Sequence, residues 1–165
     1  VDGFSLSEAV GSTTLTAFFV FASVGILVGG VLADRFDPRS LIVVLFTLVA
    51  VFLWATLTVV PIGPTTVYGP FSVLGFLVGL ALPSRDSLVS EFSTAGTTGK
   101  SFGFVFTGLS LGGLVSPVLV GAVIDASGTV AGFGLIGLLY LGAVIVALAL
   151  GTRIVRRAAP HPDPS

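Results

Sequence analysis

The sequence predicts an all-α, polytopic membrane protein with about five transmembrane helices. Hydrophobic residues make up 54% of the 165 residues and charged residues only 9%, against roughly 25% charged residues in a soluble domain. The mean hydropathy is +1.12. The apolar residues form long uninterrupted runs, and at about 20 residues per span the chain has room for five crossings.

These runs place the spans, and short polar or turn-forming segments separate them. The predicted spans are 12–33, 40–60, 66–82, 101–124 and 130–150, within a transmembrane domain over residues 1–152. Residues 1–11 are expected to form a loop or a short interfacial segment, and residues 153–165 a cytoplasmic tail. Pro83 closes the nominal third span, although the helix can continue past it with a kink. Pro117 lies inside the fourth span, where it frees the carbonyl of Gly113.

The composition also argues against several classes of protein. A net charge of −1 with scattered cations offers no basic face, so nucleic acid is not an expected partner. The absence of Cys excludes disulfides, thiol nucleophiles and Cys-based metal sites. No span contains His or a carboxylate, and His161 lies between prolines in the tail. We therefore expect no catalytic residue, no metal and no cofactor, and the bilayer is the expected surrounding.

The cations predict the orientation in the membrane. With five spans, every Lys and Arg falls on one side, and the opposite loops carry none. Because cations accumulate in cytoplasmic loops, we expect a multi-pass protein of the plasma membrane with its N-terminus outside and its C-terminus in the cytoplasm. The three clusters are Arg35 with Arg39, Arg85 with Lys100, and Arg153 with Arg156 and Arg157.

A charged hairpin connects the first two spans. Asp34 follows the C-terminal end of span one, where the helix dipole is already negative, so its carboxylate needs a partner from elsewhere. Arg39 and the N-terminus of another helix are the two candidates. Asp37 and Pro38 have a plainer role, because Asp is a good N-cap and Pro suits the first helical position. They predict the start of span two.

Three spans contain a pair of glycines separated by three residues. Such pairs allow helix backbones to approach closely, and each is compatible with static packing and with a sliding interface. The pairs are Gly25 and Gly29, Gly75 and Gly79, and Gly108 and Gly112.

Three stretches carry a family resemblance. The run Gly30-Val-Leu-Ala-Asp34-Arg35-Phe-Asp-Pro-Arg39 resembles the signature loop of major facilitator superfamily transporters, which joins the second and third helices of a six-helix half. It departs from the pattern at Asp37 and Pro38. Residues 83–103 resemble the cytoplasmic link between the fourth and fifth helices of a half, and residues 108–121 resemble the glycine-rich Gly-Pro motif of the fifth helix, with Ser116 where Gly is usual.

The resemblance implies a secondary active transporter that works by alternating access between two helix bundles. Residues 121–128 resemble the turn of a C-terminal half, so we favour helices 8–12 over helices 2–6. The missing N-terminal helices of the same transporter are then an expected partner. Residues 30–39 form the expected conformational switch loop, with Gly30, Asp34, Arg35 and Arg39 as its key members, and the expected helix hinge consists of Gly112, Gly113 and Pro117.

The resemblance further implies that spans one, three and four approach a central cavity, whereas spans two and five lie outside. Hydrogen bonding to the backbone or to another helix is the competing role for each hydroxyl. An uncharged lining favours a lipophilic or neutral small-molecule solute, as in drug-efflux relatives. The candidate lining residues are Thr16, Phe19, Ser23, Tyr68, Ser72, Phe106, Thr107 and Ser110.

A protein of a different class stays open as an alternative. The chain begins at Val1 and contains no Met, so we expect either a non-ATG start or a fragment of a longer protein. Five spans without a partner half would suit a non-transporting membrane module, either a truncated product or an assembly subunit.

Overall fold

A computed structural model describes residues 8–59, 66–91, 93 and 98–158, with side chains described as far as Ala149. The shortest of its helices has 22 residues, or about 33 Å at 1.5 Å per residue, enough to cross a hydrocarbon core of about 30 Å. Each of the five is long and apolar enough to cross a membrane, which confirms the predicted all-α, five-span class. The helices are α1 (Glu8–Ala33), α2 (Pro38–Val59), α3 (Tyr68–Glu91), α4 (Thr98–Ser127) and α5 (Thr129–Ala158).

The helices extend past most ends of the predicted spans. α1 begins at Glu8, four residues inside the expected loop, and α3 continues through Pro83 to Glu91. The predicted spans correspond to uncharged runs. A helix continues into water wherever its backbone hydrogen bonds are kept, and Pro removes only one of them. The predicted turn at 61–65, most of the loop at 93–99, and His161 lie outside the described residues.

α1 and α3 form the closest helix pair, and their glycines face each other. A Cβ built on any of four glycines would collide with backbone atoms of the opposite helix. We call this contact the glycine interface. In it, Gly25 and Gly29 of α1 lie on Phe76 and Leu80 of α3, while Gly75 and Gly79 of α3 lie on Phe18 and Ala22 of α1.

α2 packs between α3 and α5 and supplies much of the core. Leu45 of α2 is buried with Leu80 and Ala81 of α3. On the α5 side, the indole of Trp54 lies against Gly137, where a Cβ would collide with it. α2 contains no glycine, and it contacts both neighbours through its side chains, including the Trp54 indole on α5.

α4 is the least covered helix. Its neighbours are α5 and, less extensively, α3, and none of its residues is buried. A Cβ on Gly108, Gly112 or Gly113 would meet nothing within 4 Å. The third glycine pair therefore has no partner among the described residues, unlike the first two.

A single glycine joins α4 to α5. Gly128 has a φ of 87°, in the left-handed region that glycine adopts without strain, and its N–H donates to the carbonyl of Ile124 at 2.8 Å. A glycine in this conformation directly after the last helical residue is a common helix C-cap. The turn predicted at residues 125–128 is therefore shorter than expected, because α4 continues to Ser127.

Candidate functional site

The charged hairpin closes directly on the end of α1. The N–H of Asp34 donates to the carbonyl of Gly30 at 3.1 Å, and the N–H of Phe36 donates to that of Leu32 at 2.9 Å. The side chain of Asp34 is exposed. Its carboxylate makes no hydrogen bond or ion pair within the part of the chain that the structure describes. The anion thus lies at the negative end of α1 without a compensating partner there.

Asp37 caps the start of α2, as predicted. Its Oδ2 accepts from the N–H and from the hydroxyl of Ser40, each at 2.8 Å. These two bonds hold the pKa of the Asp37 carboxyl below its ordinary value of 3.8, because they stabilise the charged form. The bond from the Ser40 N–H lowers the pKa more than the bond from the Ser40 hydroxyl. Pro38 follows as the first helical residue, which confirms the Asp-Pro interpretation.

Arg39 pairs with a residue of another helix rather than with Asp34. Its Nη2 lies 3.0 Å from Oε1 of Glu91, and the two side chains are 25% and 50% exposed. The bridge connects the start of α2 to the end of α3. Sequence reasoning missed it because 52 residues separate the partners and only the packing of α2 against α3 brings them together.

The candidate lining residues of α1 lie on its uncovered surface. The hydroxyls of Thr16 and Ser23 donate to the carbonyls of Ser12 and Phe19, each at 2.9 Å. Phe19 is 59% exposed. The competing role of the hydroxyls is thus observed, although each oxygen keeps the capacity to accept a further hydrogen bond.

The candidate lining residues of α3 and those of α4 differ in their exposure. Tyr68 and Ser72 are half-buried at the start of α3. On α4, Thr107 donates to the carbonyl of Gly103 at 2.8 Å, Phe106 stacks on Phe102 with ring centroids 6.2 Å apart, and Ser110 is exposed.

The five helices do not bring these three groups into one closed cavity. α1 and α4 share no extensive contact, and none of the eight candidates lines either of two cavities of about 560 and 410 Å³. The candidates of α1 and α4 occupy surfaces that the described residues leave open. Among the described residues, no cluster of three or more His, Asp or Glu is arranged to hold a metal ion.

The larger cavity lies near the hairpin end, where α2, α3, α4 and α5 meet. Arg39, Arg85 and Lys100 contribute cationic side chains, and the Arg85 guanidinium also lies 2.9 Å from its neighbour Asp86. The sequence placed these cations on one membrane side but did not predict a shared cavity. The remaining lining residues are Ile42, Phe46, Leu88, Val89, Ser101, Phe104, Val105, Ala143, Val146 and Ala147.

The five long apolar helices define an integral, multi-pass membrane protein. Residues 1–165 match the Major Facilitator Superfamily, and the chain belongs to that family, as the hairpin resemblance predicts. It is 32% identical over 133 residues to a Bacillus subtilis (strain 168) protein named "Uncharacterized MFS-type transporter YfnC". That similarity covers 78% of this chain and 30% of the relative, so the chain spans less than a third of the relative's length. No solved structure gives a significant match.

Proposed function

We propose that this chain is part of a secondary active transporter that moves a small solute by alternating access. The observation that carries the proposal is the family match along the whole chain, together with the transporter name of its relative. The uncharged lining candidates favour a lipophilic or neutral solute and, by analogy with drug-efflux members, its export.

The packing supports a bundle that moves as a unit. Backbone contact at the glycine interface leaves little freedom for α1 to slide on α3, since any tilt forces atoms into the opposite helix. The uncovered surfaces of α1 and α4 leave room for helices of a second bundle. Such a rigid unit facing a second one suits a rocking mechanism.

The hairpin and the α4 glycines are the proposed conformational elements. Asp34 is exposed at the negative end of α1, so it gains most from a positive helix N-terminus or a basic residue supplied outside the described part of the chain. Gly112 and Gly113 have open space around them one turn before Pro117, which suits a hinge. By the distribution of cations we place the hairpin in the cytoplasm.

Accessibility of single cysteines tests alternating access directly. These 165 residues contain no Cys, and any Cys elsewhere in the natural gene product is first replaced by Ser. We expect Ser23→Cys on α1 and Ser110→Cys on α4, each in the natural gene product, to react with a membrane-impermeant maleimide from both faces of sealed vesicles. Leu138→Cys on α5 is the matched control. It is 56% exposed but lies on a helix expected to face lipid, so neither face should label it.

Labelling of Ser23→Cys and Ser110→Cys from one face alone would contradict alternating access and favour a non-transporting membrane module. Efflux is tested separately with vesicles loaded with Nile red, a neutral lipophilic fluorophore. We expect an imposed ion gradient to accelerate its loss, and an unchanged rate argues against a lipophilic substrate class.

A further inference from the structure

We propose that the 560 Å³ cavity is a binding site for an anionic phospholipid from the leaflet at the hairpin end of the bundle. The phosphodiester would lie at Arg39, Arg85 and Lys100, and an acyl chain would lie along the apolar wall. The proposal concerns a site separate from the transport pathway and does not depend on the proposed function.

The charges of the lining favour an anion. Its three charged side chains are all cations, and no carboxylate lines the cavity. Two of the cations have carboxylate neighbours outside the lining, Arg39 through Glu91 and Arg85 through Asp86. A guanidinium has five N–H donors, and Arg85 contacts Asp86 only through Nε and Nη2, so other donors of Arg85 are left for a phosphate oxygen. Lys100 is exposed and makes no ion pair with any described residue.

The wall favours a hydrocarbon chain rather than a polar ligand. Apart from the three cations and Ser101, the lining is apolar and is formed by stretches of α2, α3, α4 and α5, all within helices long and apolar enough to cross a membrane. Phe104 and Val146 line the cavity while remaining 84% and 58% exposed, so it is open beside them rather than closed over. A volume of about 560 Å³ lies within the range of roughly 300–1,000 Å³ of small-molecule sites.

Cations at one end and an open apolar wall along the helices match an amphiphile that is already dissolved in the bilayer. Basic pockets between transmembrane helices bind acidic lipid headgroups for this reason. A soluble anion would leave the apolar wall empty, and an uncharged lipid would leave Lys100 without a counter-charge among the described residues. A phospholipid with a net negative headgroup satisfies both parts of the cavity.

Native mass spectrometry of the natural gene product, purified in mild detergent with equimolar phosphatidylglycerol and phosphatidylcholine, tests the proposal. We expect phosphatidylglycerol to be retained preferentially. Lys100→Gln and Arg85→Gln should each weaken its retention about fivefold, the equivalent of about 1 kcal/mol. Arg35→Gln is the charge control, because Arg35 is exposed at the same end but does not line the cavity.

A second pair of variants tests the acyl-chain part without changing charge. Ala147→Phe fills the cavity and should abolish preferential retention, whereas Leu148→Phe, one residue along α5 and outside the lining, should not. Equal retention of the two lipids, an equal loss in Arg35→Gln, or full retention in Ala147→Phe would each overturn the proposal. Because Lys100 is exposed near the start of α4, its variant is expected to fold even where Arg85→Gln does not.

Discussion

Gly79 of α3 lies directly against the backbone of Ala22 of α1, with no space for a side chain between them. The same relationship recurs one turn away between Gly75 and the backbone of Phe18. Conversely, Gly25 and Gly29 of α1 lie against the backbone of α3. Helices in lipid gain little from hydrophobic burial, so close backbone packing is a main source of their association. The glycine interface is therefore where we expect the bundle to be most sensitive to added volume.

Gly79→Ala should destabilise the bundle by about 1–3 kcal/mol, since the new methyl group collides with backbone that cannot rotate away. Gly108→Ala is the matched control, because a Cβ there meets nothing within 4 Å. It should be neutral or stabilising by up to about 1 kcal/mol, the helix propensity gain of Ala over Gly. Unfolding in mixed micelles measures both, and equal effects would contradict a special role of the glycine interface.

Gly137→Ala should move the Trp54 indole while changing stability by less than about 1 kcal/mol. The indole is a side chain that is 43% exposed, so it can swing outward, unlike the backbone at Ala22. Trp54 is the single Trp of the chain, and a shift in its emission wavelength reports the movement. Gly142→Ala on the same helix meets no neighbour and should leave the spectrum unchanged. An unshifted spectrum in Gly137→Ala argues against the indole contact.

Asp37→Ala should destabilise α2 by about 0.5–2 kcal/mol, as expected for the loss of an N-cap. The pKa of Asp37 is lowered from 3.8 in the folded protein by its bonds to Ser40. Its contribution is therefore complete above pH 3.8 and is lost as the pH falls below that value through the folded pKa. Asp37→Asn keeps a cap without a titrating group.

Unfolding titrations at pH 7 and at pH 3 measure the Asp37 effect. The difference in stability between wild type and Asp37→Asn should narrow or reverse at the lower pH, because only the wild-type side chain becomes protonated. A difference that is the same at both pH values would show that the bonds from Ser40 do not depend on the charge of Asp37.

Ser84→Ala should be neutral or stabilising by about 1 kcal/mol. Ser84 is fully buried, and its hydroxyl has no hydrogen-bond partner among the described residues, so its removal relieves a desolvation penalty. Thr56→Val is the control, because the buried Thr56 hydroxyl donates to the carbonyl of Phe52 at 2.9 Å and loses that bond. Destabilisation by Ser84→Ala beyond that of Thr56→Val would reveal a partner for the hydroxyl.

Asp34→Asn should stabilise α1 by about 0.3–1 kcal/mol, because it removes a negative charge from the negative end of a helix dipole. In the natural gene product it should also change the distribution of inward-open and outward-open states, if Asp34 holds one of them. Spin-label distances across the bundle, together with transport rates, measure this. Unchanged distances and transport, together with the stability gain, would exclude a switching role.

Sequence alone determined the features that depend on neighbouring residues. Apolar runs specify the five helices because each must be long enough to cross a hydrocarbon core, and Asp37 specifies the start of α2 through bonds to a residue three positions on. The hairpin pattern likewise identified the family. Helix ends were less predictable, since charged residues continue a helix into water as readily as they end it, as α3 shows beyond Pro83.

Only the tertiary structure decided which distant residues meet. Three glycine pairs look alike in the sequence, yet two face each other across α1 and α3 and the third has no neighbour among the described residues. Arg39 reaches Glu91 rather than Asp34, and Arg85 and Lys100 join Arg39 around one cavity. Such contacts depend on the rotation and crossing of whole helices, which are set by packing across the bundle and not by local sequence.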